Sequence, residues 1–176
     1  QEILGCNTRI LNSNFLKKIR KNFEKKMDSN SIYEGVKIVD LTSGLTEPRS
    51  ADAVLTFRNL HNWLGSTMDT IFANSFKALK SGGIFGVVEH RAEVGTSIQN
   101  MKKSGYVTEE HAIEMAKKHG FVLVSKSEIN SNPKDLKSYE KGVWTLPPSL
   151  RLKEKNNGKS LAIGESDRMT LLFKKP

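Results

Sequence analysis

The chain has 176 residues, 37% of them hydrophobic and 27% charged, and a formal net charge of +9 at pH 7. That length suits one domain, 1–176, able to bury about two thirds of its unfolded surface; it holds no apolar run long enough for a membrane span. The lone Cys6 excludes an internal disulfide framework, and the lysines are scattered over helix faces and loops instead of lining an aromatic-interleaved groove, so nucleic acid is not an expected partner.

Gln1-Glu2-Ile3-Leu4 begins with neither an initiator Met nor a signal peptide. Asn14–Met27 reads as a helix, because Phe15, Ile19, Phe23 and Met27 recur every fourth residue while Lys17, Lys18, Arg20, Lys21, Lys25 and Lys26 occupy the other face. Asp28-Ser29-Asn30-Ser31 stops it. A basic amphipathic helix can lie on a membrane; here it is expected to pack on a sheet with its lysines in water. Val36-Lys37-Ile38-Val39 is the following strand, and Asp40-Leu41-Thr42-Ser43-Gly44 turns away from it, Asp40 being suited to an Asx turn.

Ala51–Arg91 reads as strand, turn, helix, turn, strand. Ala53-Val54-Leu55-Thr56-Phe57 is a continuous apolar run, the pattern of a strand buried on both faces. It breaks into Arg58-Asn59-Leu60-His61-Asn62-Trp63, where polar and aromatic side chains crowd together. Met68, Ile71, Phe72, Ser75, Phe76 and Leu79 then share one helical face, with Lys77 and Lys80 in the expected last turn and Gly82-Gly83 as its left-handed exit. Ile84-Phe85-Gly86-Val87-Val88 is the second buried strand, and it too ends in charge at Glu89-His90-Arg91. In a parallel sheet both polar tips fall at the carboxyl ends of neighbouring strands, where ligand clefts of open α/β sheets lie.

Thr108 is the expected N-cap of a further helix, with Glu109 and Glu110 in its first turn and Lys117, Lys118 and His119 before Gly120. His111 and His119 are expected at the surface. Phe121-Val122-Leu123-Val124 is a strand and Met169-Thr170-Leu171-Leu172-Phe173 the last one. Between them, 130–168 lacks periodicity and carries Pro133, Pro147 and Pro148, so it is expected as a long flap, with Trp144 giving it an ordered anchor and Asn156-Asn157-Gly158-Lys159 its exposed tip.

Asp52–His61, Ala78–Phe85 and Thr108–Val124 together resemble the second half of a class I S-adenosylmethionine-dependent methyltransferase. Gly142–Arg151 and Gly164–Phe173 are similar to a bacterial group of uncharacterised methyltransferases of that kind. The resemblance implies a Rossmann-like α/β sheet, mostly parallel, whose C-terminal strand inserts antiparallel beside Phe121–Val124. It implies S-adenosylmethionine as cofactor, with Glu2 on the ribose hydroxyls, Asp40 and Leu41 at the adenine, and Thr56, Phe57 and Arg58 bordering the methionine part. The glycine-rich loop that such enzymes carry after their first strand is absent, since Gly82-Gly83 follows a helix and precedes a strand. The N-terminal strands are therefore expected to lie upstream of Gln1, in a segment of about 50 residues or more. A sheet completed by a second copy, as in a homodimer, is the alternative. A cytoplasmic location is expected, with export left open for want of the N-terminus.

Methyl transfer needs nucleophile and methyl group held in line, and a base near the acceptor assists. His90, then His61, are the candidate bases, with Glu89 beside them; Asn59, Asn62, Trp63, Arg91 and Trp144 are candidates for contacting a small-molecule acceptor. Each also has a plain role: His61 and Trp63 as caps of the following helix, Arg58 as partner of Glu89, Trp144 as core. Two rival functions stand beside this one. A methyltransferase-like domain without catalysis would use the basic surface to bind a partner. A metal hydrolase would use His61, Glu89 and His90, which lack close helical ligand spacing and any assisting cysteine, so no metal is expected.

Overall fold

The computed structural model describes residues 3–7, 14–152 and 157–176. Strands β1 (Ile3–Asn7) and β2 (Val36–Asp40) pair in parallel, with helix α1 (Asn14–Asp28) between them in the chain. Then come β3 (Ala51–Phe57), α2 (Leu60–Trp63), α3 (Ser66–Ala78), β4 (Leu79–His90), α4 (Ile98–Ser104), α5 (Glu109–Lys118), β5 (Val122–Ser127), α6 (Asn157–Ile163) and β6 (Arg168–Lys174). The last four strands form a sheet in the order β3-β4-β6-β5. β3 and β4 run parallel, and β6 inserts antiparallel between β4 and β5, as the resemblance implied. No helix among the described residues is long and apolar enough to cross a membrane.

Alternation along β4 decides which face is covered. Phe85, Val87 and Glu89 point one way and are buried, joined by Leu171 and Phe173 from β6. Phe72 of α3 meets Phe85 edge to face at 5.0 Å, and Phe121 stacks on Phe85 at 5.1 Å. Each such ring, removed from water, stabilises the fold by about 1.5–3 kcal/mol. Leu41 and Leu45 belong to the same core. The Asn74 amide on α3 donates to the Leu41 and Thr42 carbonyls, both at 3.3 Å, which ties the end of β2 to the larger sheet's helical layer.

Four expectations change. The apolar run in β3 is not buried on both faces: Val54 and Thr56 face the covered side, while Leu55 and Phe57, on the other, are each 58% exposed. The helix before β4 ends at Ala78, so Leu79 and Lys80 are already strand and Gly82-Gly83 lies inside β4, hydrogen-bonded to Lys175. Gly82 still takes a left-handed φ of +80°, but as a bend in the strand and not a helix exit. His119 is not a free surface residue, since its Nε2 bonds Asp69 at 2.8 Å. Within 130–168, a 3-10 turn at Gly142–Thr145 and helix α6 interrupt the flap, and α6 takes up Asn157–Lys159 of its supposed tip.

Candidate functional site

Phe57 of β3 pairs with Val88 of β4, so the chain leaves both strands at the same end. Arg58 turns there with φ +55°, its N–H donating to the Val88 carbonyl at 2.7 Å. Asn59 starts α2 without a side-chain cap of its own. The cap comes from the neighbouring strand: Glu89 Oε2 accepts the Leu60 N–H at 2.5 Å. Its other oxygen accepts from His61 Nδ1 at 3.0 Å and from the His90 N–H at 2.8 Å. Glu89 is fully buried, so all its hydrogen-bonding capacity is spent inside the protein. A carboxylate only accepts, which puts the proton of a neutral His61 on Nδ1 and leaves the Nε2 lone pair for other work.

The His90 ring stands 5.4 Å from that of His61, and its Nδ1 lies 2.5 Å from the Ser166 hydroxyl. Burial pushes its imidazole down to about 4; the Glu89 charge opposes this, while Arg58 and Arg168 add to it. His90 is therefore neutral at physiological pH. Over the two histidines lies a cavity of about 280 Å³, walled also by Phe57, Arg58, Trp144 and Pro147. Trp144 meets the His61 ring edge-on at 5.9 Å, and the Arg151 guanidinium lies over the Trp144 ring at 4.6 Å.

What fixes the flap over this cavity is a buried polar network. Arg91 grips Glu128 at 2.6 and 2.9 Å and Asp167 at 2.9 and 3.1 Å. Asp135 accepts from the Tyr106 hydroxyl at 3.1 Å and from the Asp167 N–H at 2.8 Å. Burial alone would raise the Asp167 carboxyl; Arg91, the Asn132 N–H and Lys137 outweigh it and bring it down to about 2. Burial and Asp135 together push the Tyr106 phenol up.

Of the candidate residues, Phe57, Arg58, His61, His90 and Trp144 meet at the cavity, with Glu89 behind the histidines. Others do not. Arg91 is engaged by Glu128 and Asp167 and points away into the network. Trp63, 8% exposed, is packed in the main core, because it sits two residues beyond His61 on the opposite side of the short helix. Asn59 and Asn62 bond each other at 3.4 Å at the exposed start of α2. Asp40 closes an Asx turn on Thr42, with bonds of 2.7 and 2.9 Å, and Leu41 is buried beside it. Thr56 is buried, and its hydroxyl has no partner among the described residues. Glu2 lies outside the described residues. Ser166 gave no signal in the sequence, being one of many hydroxyls in the flap. Sequence spacing argued against a metal, yet His61, Glu89 and His90 offer ligand atoms within 4.8 Å of one another. Three N–H donors already occupy Glu89, so it orients His61 in place of presenting a free ligand oxygen.

No family model matches the chain, and no curated protein matches it by sequence. Solved structures do match it by shape. The chain superposes on the [4+2]-cyclase SpnF with a TM-score of 0.63 at 16% identity, covering 99% of this chain and 67% of that one. Against a TehB-like SAM-dependent methyltransferase from Corynebacterium glutamicum the TM-score is 0.53 at 13% identity, covering 99% and 68%. Against a geranyl diphosphate methyltransferase solved in complex with SAM it is 0.57 at 10% identity, covering 99% and 69%. By strand order, by the parallel tips that close one cavity, and by these likenesses, the chain has the fold of the class I S-adenosylmethionine-dependent methyltransferases.

Proposed function

We propose that this protein is an S-adenosylmethionine-dependent methyltransferase acting on a small acceptor in the cavity over His61 and His90. The observation that carries the reading is the Glu89–His61 contact, which leaves a histidine base at the carboxyl end of two parallel inner strands. The residues suit the cofactor: Thr56 keeps a buried hydroxyl without a partner among the described residues, and Asp40 sits with its carboxylate at the carboxyl tip of β2. Asp40 and Leu41 would hold the adenine end and Thr56 and Phe57 the methionine end; Glu2 precedes Ile3, which pairs with Val36 at the other end of β2 from Asp40, so it is not part of this cradle. When bound, S-adenosylmethionine supplies an electrophilic methyl group.

The chain's own part is positioning and proton handling. His61 Nε2 takes the proton that the acceptor hydroxyl or amine loses, and Glu89 stabilises the imidazolium so formed. His90, neutral and anchored on Ser166, completes the wall and offers a second nitrogen to the acceptor. Trp144 walls one side of the cavity. Transfer of a labelled methyl group into small-molecule extracts tests the reading. His61→Gln is expected to slow it by about 10²–10⁴-fold, the usual worth of a positioned base, and His90→Gln by less.

A binding domain without methyl transfer is the second reading. It is favoured by the shared fold of SpnF, which is described as a cyclase, since one fold hosts several chemistries. Cofactor binding without transfer to any acceptor would select it. A metal hydrolase has less support, because Glu89 is saturated by N–H donors; metal content after purification tests it.

A further inference from the structure

We infer that the acceptor is a single-ring aromatic carboxylate, and that Arg58 is the residue that recognises its charge. The inference rests on the methyl-transfer reading only in taking the cavity for the acceptor site. Its volume of about 280 Å³ lies at the small end of ligand pockets, enough for one ring with short substituents. Planar rings dominate the lining: His61, His90 and Trp144 border the open cleft, with Pro147 beside them. Such surfaces stack on a planar ring better than they pack a flexible chain.

Charge supplies the second half of the argument. The other nearby cations are spoken for, Arg91 by Glu128 and Asp167, Arg168 by Glu165, and Arg151 by the Trp144 face. The nearby anions are spent as well, Glu89 on three N–H groups and Glu165 on Arg168. Arg58 alone lines the cavity with a guanidinium that makes no hydrogen bond or ion pair among the described residues. Its backbone holds a left-handed φ of +55°, a conformation that costs a non-glycine residue of order 1 kcal/mol and that clusters at ligand clamps. A planar guanidinium fork matches a carboxylate bidentately. His90, neutral in the same cavity, adds no positive charge of its own.

The test is equilibrium binding of 4-hydroxybenzoate and of its neutral counterpart 4-hydroxybenzamide, each measured with and without S-adenosylhomocysteine. Wild type, Arg58→Lys and Arg58→Asn are compared, the last because Asn tolerates the left-handed backbone and should preserve folding. The benzoate is expected to bind at least tenfold more tightly than the benzamide to wild type. Arg58→Asn should abolish the difference and Arg58→Lys should keep part of it. Equal binding of the two probes, or a preference that survives in Arg58→Asn, overturns the proposal. So does an Arg58→Asn variant that loses S-adenosylhomocysteine affinity while retaining the benzoate preference, since the guanidinium would then serve the cofactor. A benzoate preference without any S-adenosylhomocysteine binding would remove the methyl-transfer reading and leave this one standing.

Discussion

Glu89, fully buried at the end of β4, accepts a hydrogen bond of 3.0 Å from Nδ1 of His61, 28 residues earlier in the chain. The same carboxylate caps α2 through the Leu60 N–H, so one side chain both starts the short helix and orients the ring it carries. On the proposed reading, catalysis and local folding share a residue.

Two substitutions separate those duties. Glu89→Gln keeps the volume but removes the negative charge that stabilises an imidazolium and sets its NH2 against one buried N–H, of Leu60 or His90, so the methyl-transfer rate should fall by about 10²-fold or more with a stability loss of about 1–2 kcal/mol, smaller than that of Glu89→Ala. Glu89→Ala strands the Leu60 N–H, the His90 N–H and His61 Nδ1 in a dry site, and should destabilise the fold by roughly 3 kcal/mol or more. Single-turnover rates and urea melts of both variants check this. Equal stability losses would mean that the charge is structural alone.

His90 makes the fold sensitive to mild acid. Its pKa is about 4 in the native protein against 6.5 in the unfolded chain, so the unfolded state binds the extra proton between those values. Its contribution is complete above about pH 6.5 and is lost as pH falls toward 4, with a limiting slope of about 1.4 kcal/mol per pH unit. Asp167, whose carboxyl is lowered to about 2, loses its contribution only below its unfolded value of 3.8, in a more acidic range. Urea midpoints of wild type should drop between pH 7 and pH 5, and those of His90→Gln should drop less. Parallel curves would exclude His90 as the source.

Arg91 is predicted to matter for the flap and not for chemistry. Arg91→Met keeps the stem but leaves Asp167 buried with one cation fewer, at a cost of about 2 kcal/mol, hence roughly 4–8 °C in Tm. At saturating acceptor and below the new melting range, kcat should stay within about threefold of wild type. A collapse of kcat with an unchanged melt would put the guanidinium in the reaction.

The parallel pair and its helix were legible because continuous apolar runs and a helical stripe differ in period, and because both runs end in charge. Their meeting at one cavity followed from that alone. Which member of each polar cluster turns inward did not. His61 and Trp63 lie on opposite sides of a single helical turn, and only the register of Phe57 on Val88 sends His61 toward Glu89 and Trp63 into the core. Arg58 and Arg91 looked alike in the sequence; the partners that absorb Arg91 are distant in the chain, Glu128 just after β5 and Asp167 in the flap. Gly82-Gly83 read as a helix exit because glycine after lysine is common there, yet Leu79 is fully buried in the sheet and starts the strand early. Helix α4, seven residues long, was too short to show a stripe.

Calorimetric titration with S-adenosylhomocysteine tests the central claim most directly. The account predicts saturable binding by wild type, weakened about ten- to a hundredfold in Asp40→Ala, as expected for one lost hydrogen bond to a carboxylate. Absence of any binding to the intact, folded protein would contradict it.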